Sequence, residues 1–149
     1  MTTKTFRGKL ADDARERIRL GTNNGLTGYK IVKFQTIPAT PGNATQESVM
    51  QVYTQEPTDN LATVDFTNPL LLAVAMYKQE ANASQTAQGN VVIFDSMKFN
   101  QDIFISHKDA ATGEEMNYYL ELEQFKLNLD EATVATLKDM RGSYTNLDP

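Results

Sequence analysis

The sequence predicts a mainly β protein: an antiparallel β-sandwich or barrel-like sheet of about six to eight strands, with a short N-terminal helix and a C-terminal helix. Two observations support this fold class. Runs rich in aromatic and β-branched residues recur between turn-forming residues, and apolar and polar residues alternate along several of these runs. A chain of 149 residues can bury a core, so we expect a single β-rich domain, 1–149.

The first element, residues 12–21, has two interpretations. Acidic residues at its start, arginines towards its end and Gly21 as its terminator favour a short helix. The alternative is a strand in which Ile18 and Leu20 face inward and the arginines face outward.

The middle of the chain contains one ambiguous element. Its other predicted elements are a strand over 29–36, a loop over 37–46, a strand over 48–54 and an exposed loop over 79–90. Residues 70–77 are mostly apolar, so their periodicity fits either a helix or a buried strand. Asn68-Pro69, just before them, is a helix-start signal.

The C-terminal half shows clearer alternation. Its predicted elements are a buried strand over 91–94, a strand over 99–107, a hairpin loop over 108–115, a long strand over 117–129 and a helix over 130–142. The apolar residues of the long strand change parity, which predicts a β-bulge near Glu123-Gln124 or a strand that changes sheets there. The helix is expected to have Asp130 as its N-cap and to bury a stripe centred on Leu137.

Charge is unevenly distributed along the chain. Residues 1–33 hold eight basic and three acidic side chains, whereas the other residues hold six basic and sixteen acidic ones. One part of the molecule can therefore attract the oppositely charged part of another copy, or an acidic neighbour in a larger assembly. The protein-interface candidates are Arg15, Arg17, Arg19, Lys30 and Lys33.

No pattern in the chain predicts catalysis, so we expect a protein that is not an enzyme. His107, the one histidine, lies beside Ser106, but neighbours on a strand point to opposite faces and cannot form a triad. Glu121 and Glu123 share a strand face, as glycosidase carboxylates can. A solvated outer face is the simpler interpretation.

Metal ions and cofactors are not predicted. The sequence has no cysteine, which excludes disulfides and thiolate metal ligands. The loop from Asp109 to Glu115 collects oxygen ligands, but alanines occupy the alternating positions that a calcium loop needs. No glycine pattern typical of a phosphate-binding loop occurs.

Membranes and nucleic acids are not expected as partners. No apolar run approaches the ~20 residues that cross a bilayer, and residues 1–9 lack the apolar stretch of a secretory signal. The net charge of −5 argues against general nucleic-acid binding, and Phe6 alone interleaves the basic N-terminal residues with an aromatic ring.

Two sets of residues resemble phage proteins. Residues 9–20, then a Gly/Asn turn and the strand GYKIVKF over 28–34, resemble the start of phage tail-fibre attachment domains, although QTIP replaces their usual Gly-Asp-Gly. FNQDIFISH over 99–107 and NYYLELE over 117–123 are similar to virion-associated proteins of marine tailed bacteriophages. The resemblance implies a structural part of a virus particle without enzymatic activity.

The expected function is therefore that of a bacteriophage virion structural protein at the tail, the neck or the capsid surface. It would be made in the host cytoplasm, form a homo-oligomer and contact other virion proteins. The alternative is a carbohydrate- or ligand-binding β-module, with an exposed Tyr118 or Tyr119 and the acidic loop lining its site.

Overall fold

The structure is a computed structural model that describes residues 2–22, 25–42, 44–58, 61–80, 88–94 and 98–137. Within these ranges the strands are β1 (Thr2–Leu10), β2 (Ala14–Ile18), β3 (Thr27–Pro38), β4 (Gln46–Tyr53), β5 (Leu71–Gln79), β6 (Gln88–Ile93), β7 (Ile103–Asp109) and β8 (Met116–Lys126). The helix of the described part, α1, spans 129–137. The predictions of a mainly β protein and of a C-terminal helix are confirmed.

The strands form two sheets in which all pairs are antiparallel. One sheet has three strands in the order β1-β8-β3, and the other has five in the order β2-β7-β4-β5-β6. Within the described ranges neither sheet closes on itself, so the barrel alternative is not found. β3 packs on β5 and β6, and β1 lies next to β2. This arrangement is compatible with a sandwich.

One hydrophobic core lies between the two sheets. The three-stranded sheet contributes Phe34 and Leu120 among others, and the five-stranded sheet contributes Val52, Ile103 and Ile105. These side chains are at most 2% exposed. Because side chains alternate along a strand, one face of each strand enters this core. Each such side chain contributes roughly 1.5–3 kcal/mol when it is fully buried.

The N-terminal helix predicted over 12–21 is wrong, because most of this segment is strand β2 and its flanks. Ile18 and Leu20 are each 5% exposed, and β2 pairs with β7. Asp13 has a φ of 63° and lies in the turn between β1 and β2. The acids that suggested a helix start therefore belong to a tight turn, a role that aspartate fills readily.

Residues 70–77 are not a helix, because they form most of strand β5 and the residue before it. β5 lies between β4 and β6, and its apolar residues contact the core on one face. The helix-start signal is instead a turn: the side-chain oxygen of Asn68 accepts a hydrogen bond from the Leu70 N–H at 2.9 Å, and its carbonyl accepts one from Leu71. Asparagine makes such turns as readily as helix caps.

Both alternatives predicted near Glu123-Gln124, a β-bulge and a change of sheet, are wrong, because β8 pairs with β1 without a shift of register and belongs to the three-stranded sheet throughout. The irregularity lies in β3, between Ile31 and Lys33. The apolar residues of β8 change parity because, near the C-terminal end of this strand, the face opposite to the core is also covered. Phe125 and Leu127 both lie against Gly28, where an added Cβ would come within 2.9 Å of each side chain.

Two predictions about connections and edges are wrong. Residues 108–115 do not form a hairpin loop, since β7 and β8 belong to different sheets and the connection crosses between them. The strand predicted as buried over 91–94 is instead β6, which lies at the edge of its sheet. Val91 and Val92 are 46% and 38% exposed. A short apolar run does not show whether the strand that it forms lies inside a sheet or at its edge.

The helix α1 has a different cap from the predicted one. Asn128 accepts a hydrogen bond from the Glu131 N–H at 2.8 Å, and the Glu131 carboxylate accepts one from the Asn128 N–H at 3.4 Å. This reciprocal pair is a capping box, so Asp130 is not the N-cap. Leu137 is 51% exposed, so its predicted burial is wrong. The predicted helix end at Gly142 lies outside the described residues.

Candidate interaction surface

The outer face of the three-stranded sheet presents charged and polar side chains in cross-strand rows, and we call it the charged face. Phe6 and Leu10 point into the core, so the β1 residues at the alternate positions point outward. The members of the charged face are Thr3, Thr5, Arg7 and Lys9 of β1, Asn117, Tyr119, Glu121 and Glu123 of β8, and Lys30, Lys33, Gln35 and Ile37 of β3. All of them are half-buried or exposed.

Opposite charges face each other across this sheet. Lys30 is the register partner of Glu123, and Lys33 is the register partner of Glu121. At the end of the sheet, Lys9 forms an ion pair with Glu115 at 3.8 Å. Cross-strand pairs of opposite charge are weakly stabilising. Part of the charge asymmetry along the sequence is therefore balanced within one molecule, because basic N-terminal strands flank an acidic C-terminal strand.

A depression of about 460 Å³ lies on the charged face and is open to solvent. Arg7, Gln35, Ile37, Asn117 and Tyr119 are among its lining residues. Ile37 is 61% exposed, so the depression has an apolar side next to amide and guanidinium groups. Such a mixture of a ring, an apolar side chain and a few convergent polar groups can bind a small polar ligand or a side chain of a partner protein.

The two tyrosines predicted as ligand-site candidates have different environments. Tyr119 lines the depression, and its hydroxyl donates to the Glu121 carboxylate at 3.1 Å. Desolvation and that carboxylate raise the pKa of Tyr119. Tyr118 also borders the depression, but it is only 4% exposed and its hydroxyl donates to Glu16 of the other sheet at 2.9 Å, so it is not the exposed ring that was expected there. Burial and the Glu16 carboxylate raise the pKa of Tyr118 strongly.

The five predicted interface residues do not form one patch. Arg15, Arg17 and Arg19 lie on or next to β2, an edge of the five-stranded sheet, and all three are exposed. Lys30 and Lys33 lie on β3, which packs over the β5 and β6 side of that sheet. The arginines and the lysines therefore occupy opposite margins of the molecule.

His107 is buried in a structural hydrogen-bond network. Its Nδ1 atom lies 3.2 Å from the Leu10 carbonyl and 3.1 Å from the Ala11 carbonyl, and its Nε2 atom lies 3.0 Å from Ser48 Oγ. Carbonyl groups only accept, so Nδ1 carries the hydrogen and Nε2 accepts from Ser48. Gln46 Nε2 donates to the same hydroxyl at 2.7 Å. The histidine thus connects strands of both sheets, and Ser106 takes no part in this network.

The acidic loop before β8 is organised by Asp109. Its carboxylate accepts hydrogen bonds from the N–H groups of Glu47 at 3.0 Å, Ala111 at 3.0 Å and Glu114 at 2.7 Å. Although burial opposes ionisation, these bonds hold the pKa of the Asp109 carboxyl below its ordinary value. Among the residues that the structure describes, no group of three or more acidic or histidine side chains could hold a metal ion.

A second covered face, which was not expected from the sequence, lies on the five-stranded sheet. The segment between β4 and β5 folds over the outer face of the five-stranded sheet, where the buried Gln51 amide donates to the carbonyls of Leu61 at 3.1 Å and Thr63 at 3.0 Å. The Tyr53 hydroxyl donates to Gln51 at 2.6 Å. The signal was present in β4, because apolar residues occur at both parities of this strand.

Comparison with known proteins assigns no family. No protein-family model matches this chain, and no curated protein matches it. Over the residues that the structure describes, no helix has both the length and the apolar character needed to span a bilayer.

Proposed function

We propose that this chain is a structural protein of a tailed bacteriophage particle that acts through protein–protein contacts in a symmetric assembly. The resemblance of residues 99–107 and 117–123 to virion-associated proteins suggests the phage context. Tail, neck and capsid surface are all places that such a protein can occupy. It acts as a homo-oligomer and contacts other virion proteins.

One contrast in the structure supports the assembly role. The side chains from which catalysis would be built, His107 and Asp109, are hydrogen-bonded to backbone groups that hold the fold together. The charged side chains, in contrast, form ordered rows on the open charged face. Ordered surface charge gives specificity and orientation to protein–protein contacts.

Mass spectrometry of purified phage particles tests the proposal. We expect the chain to be present at a copy number that matches a ring or a capsid symmetry, because closed assemblies repeat one contact. Cross-linking within the particle would then identify its neighbours and its place. Particles that are complete and infectious without the chain would contradict the proposal.

The alternative, a carbohydrate-binding module, is favoured by the depression on the charged face. Tyr119 beside Asn117 and Gln35 combines a ring with amide groups, which together can pack on and hydrogen-bond a sugar. Glycan binding by the purified chain that is lost in Tyr119→Ala would support this alternative. Phe66→Ala is the matched control, because Phe66 is another exposed aromatic residue, 56% exposed, on a different part of the surface.

A further inference from the structure

The four edge strands of the two sheets differ in charge. β1, β2 and β3 carry basic residues: Lys4, Arg7 and Lys9 on β1, Arg15 and Arg17 on β2, and Lys30 and Lys33 on β3. The β3 edge is also interrupted by its bulge. Charged side chains and bulges are the devices by which proteins prevent an edge strand from pairing with another molecule.

β6 has none of these devices. Its sequence, QGNVVI, contains no charged residue and no proline, and its register with β5 is unbroken. Within the described residues β6 is the outermost strand of its sheet. Val91 and Val92 at its centre are 46% and 38% exposed. An uncharged and regular edge strand with exposed valines at its centre is open to pairing with another strand.

An apolar patch continues from β6 onto the outer face of its sheet. Phe66 packs edge-on against Phe94, with 5.2 Å between ring centroids. Met76, on the neighbouring strand β5, is 43% exposed, and Val92 is the register partner of the buried Val74. The patch adds apolar area beside a strand of only six residues, and a stable interface needs more area than a strand of that length supplies.

We propose that β6 pairs antiparallel with β6 of a second copy of this chain, which joins two five-stranded sheets into one continuous sheet. The charges of the edge strands favour β6 as the strand that pairs with its own copy. In a two-fold antiparallel contact the residue on the axis meets its own copy and the other residues meet residues of the same strand, so a strand whose net charge is basic would oppose like charges. β6 is the edge strand of the described structure that avoids this repulsion. This contact rests on the proposed assembly function and is one self-contact through which such an assembly forms.

The hydrogen bonds of β6 set the register of this contact. The Phe94 N–H donates to the Leu72 carbonyl at 3.0 Å, so the alternating pattern of an antiparallel ladder points the backbone groups of Gly89, Val91 and Ile93 outward. With the two-fold axis at Val91, Val91 pairs with its own copy and Gly89 pairs with Ile93 of the second copy. All three outward-facing residues are then paired.

A single cysteine tests this register, because the natural chain has none. In the proposed contact the two copies of residue 91 are a hydrogen-bonded pair about 5.5 Å apart between Cα atoms, which is within the range for a disulfide. Val91→Cys should therefore form a disulfide-linked dimer under mild oxidation. Val32→Cys is the matched control, since Val32 is 40% exposed on the basic edge strand β3. Equal cross-linking of both variants would overturn the proposal.

A second pair of variants tests the contact without cross-linking. Val91→Lys places a like charge next to its own copy, and we expect dimerisation measured by sedimentation velocity to weaken about tenfold or more. Val32→Lys should behave as the unmodified chain does. Circular dichroism confirms that each variant is folded. A chain that is monomeric at all concentrations, or a dimer that Val91→Lys does not weaken, would overturn the proposal.

The outcomes separate this inference from the proposed function. A chain that forms the Val91→Cys dimer but does not occur in particles would retain the β6 contact and contradict the virion role. A chain that occurs in particles but is insensitive to changes in β6 would contradict the contact and leave the virion role standing.

Discussion

Asp102 fixes the end of β2 through Arg17. Its Oδ2 atom accepts a hydrogen bond from Arg17 Nε at 2.7 Å, and its Oδ1 atom accepts from the backbone N–H groups of Leu20 and Gly21, each at 2.7 Å. One carboxylate thus binds a side chain and two backbone groups that are 81 to 85 positions away in the chain.

Loss of this carboxylate should destabilise the protein. We expect Asp102→Ala to lower the free energy of unfolding by about 1–2 kcal/mol, because two backbone N–H groups lose a charged acceptor at a partly exposed site. Urea unfolding measures the change. Glu80→Ala is the control, because it removes an exposed acidic side chain just after β5. Equal effects of the two substitutions would mean that the contacts of Asp102 contribute nothing.

The same relationship shows what could be predicted from the sequence. The parity of Ile18 and Leu20 indicates a strand over residues 12–21. The acidic residues, arginines and glycine at the ends of this segment instead favour a helix. What decides between the two is a carboxylate distant in the sequence together with pairing to β7. Local propensity does not contain such long-range contacts, and tertiary context overrides it.

Strands rich in β-branched and aromatic residues are predictable from the sequence, whereas the edges of the sheets and the segments that cover their faces are not. β4 and β8 were located from β-branched and aromatic residues, because these side chains fit a pleated, half-buried surface. The exposed edge at β6 and the segment that covers Gln51 depend on which strands are neighbours. For the same reason, the sequence does not show that the predicted interface residues separate into arginines on or next to β2 and lysines on β3.

Acid should destabilise the protein through Asp102 and Asp109. Although burial opposes ionisation, hydrogen bonds from N–H groups lower the pKa of both carboxyls in the folded state. Unfolded carboxyls take up protons near pH ~4, whereas these two take them up only at lower pH. Their contribution is therefore complete above that pH and is lost as the pH falls through the lowered values.

Thermal unfolding across the acid range measures this effect. We expect the melting temperature of the natural chain to fall steeply below about pH 4, and the Asp102→Asn and Asp109→Asn variants to show a shallower fall from a lower starting stability. Slopes identical to that of the natural chain would show that other carboxylates control the acid transition.

His107 should contribute to stability and not to activity. Its removal takes a hydrogen-bond donor from the carbonyls of Leu10 and Ala11 and an acceptor from the hydroxyl of Ser48 in a buried site. We expect His107→Ala to cost about 2–4 kcal/mol from lost hydrogen bonds and the cavity left behind. The fraction that folds should assemble as the natural chain does. Loss of assembly in a fully folded variant would indicate a functional role for this histidine.

Two leucines provide a matched test of the core. Leu120 is 0% exposed between the sheets, whereas Leu137 on α1 is 51% exposed. Leu120→Ala should cost about 2–5 kcal/mol, the range for a buried leucine. Leu137→Ala should change the free energy of unfolding by less than about 0.5 kcal/mol, as surface substitutions do. A large cost at Leu137 in a denaturant melt would mean that α1 is more deeply packed than its exposure indicates.

The arginines of β2 should make association sensitive to salt. Arg17 is engaged with Asp102, so a variant that spares it, Arg15→Glu with Arg19→Glu, tests surface charge without disturbing that contact. We expect association measured by sedimentation at low salt to weaken about five- to tenfold, because two exposed charges each contribute up to ~1 kcal/mol. The difference should shrink at high salt, since the Debye length is only ~8 Å at physiological ionic strength.

The control, Lys78→Glu with Lys126→Glu, makes the same change of net charge at exposed positions elsewhere. If both double variants weaken association equally, net charge and not the β2 edge governs assembly, and the arginines are not an interface.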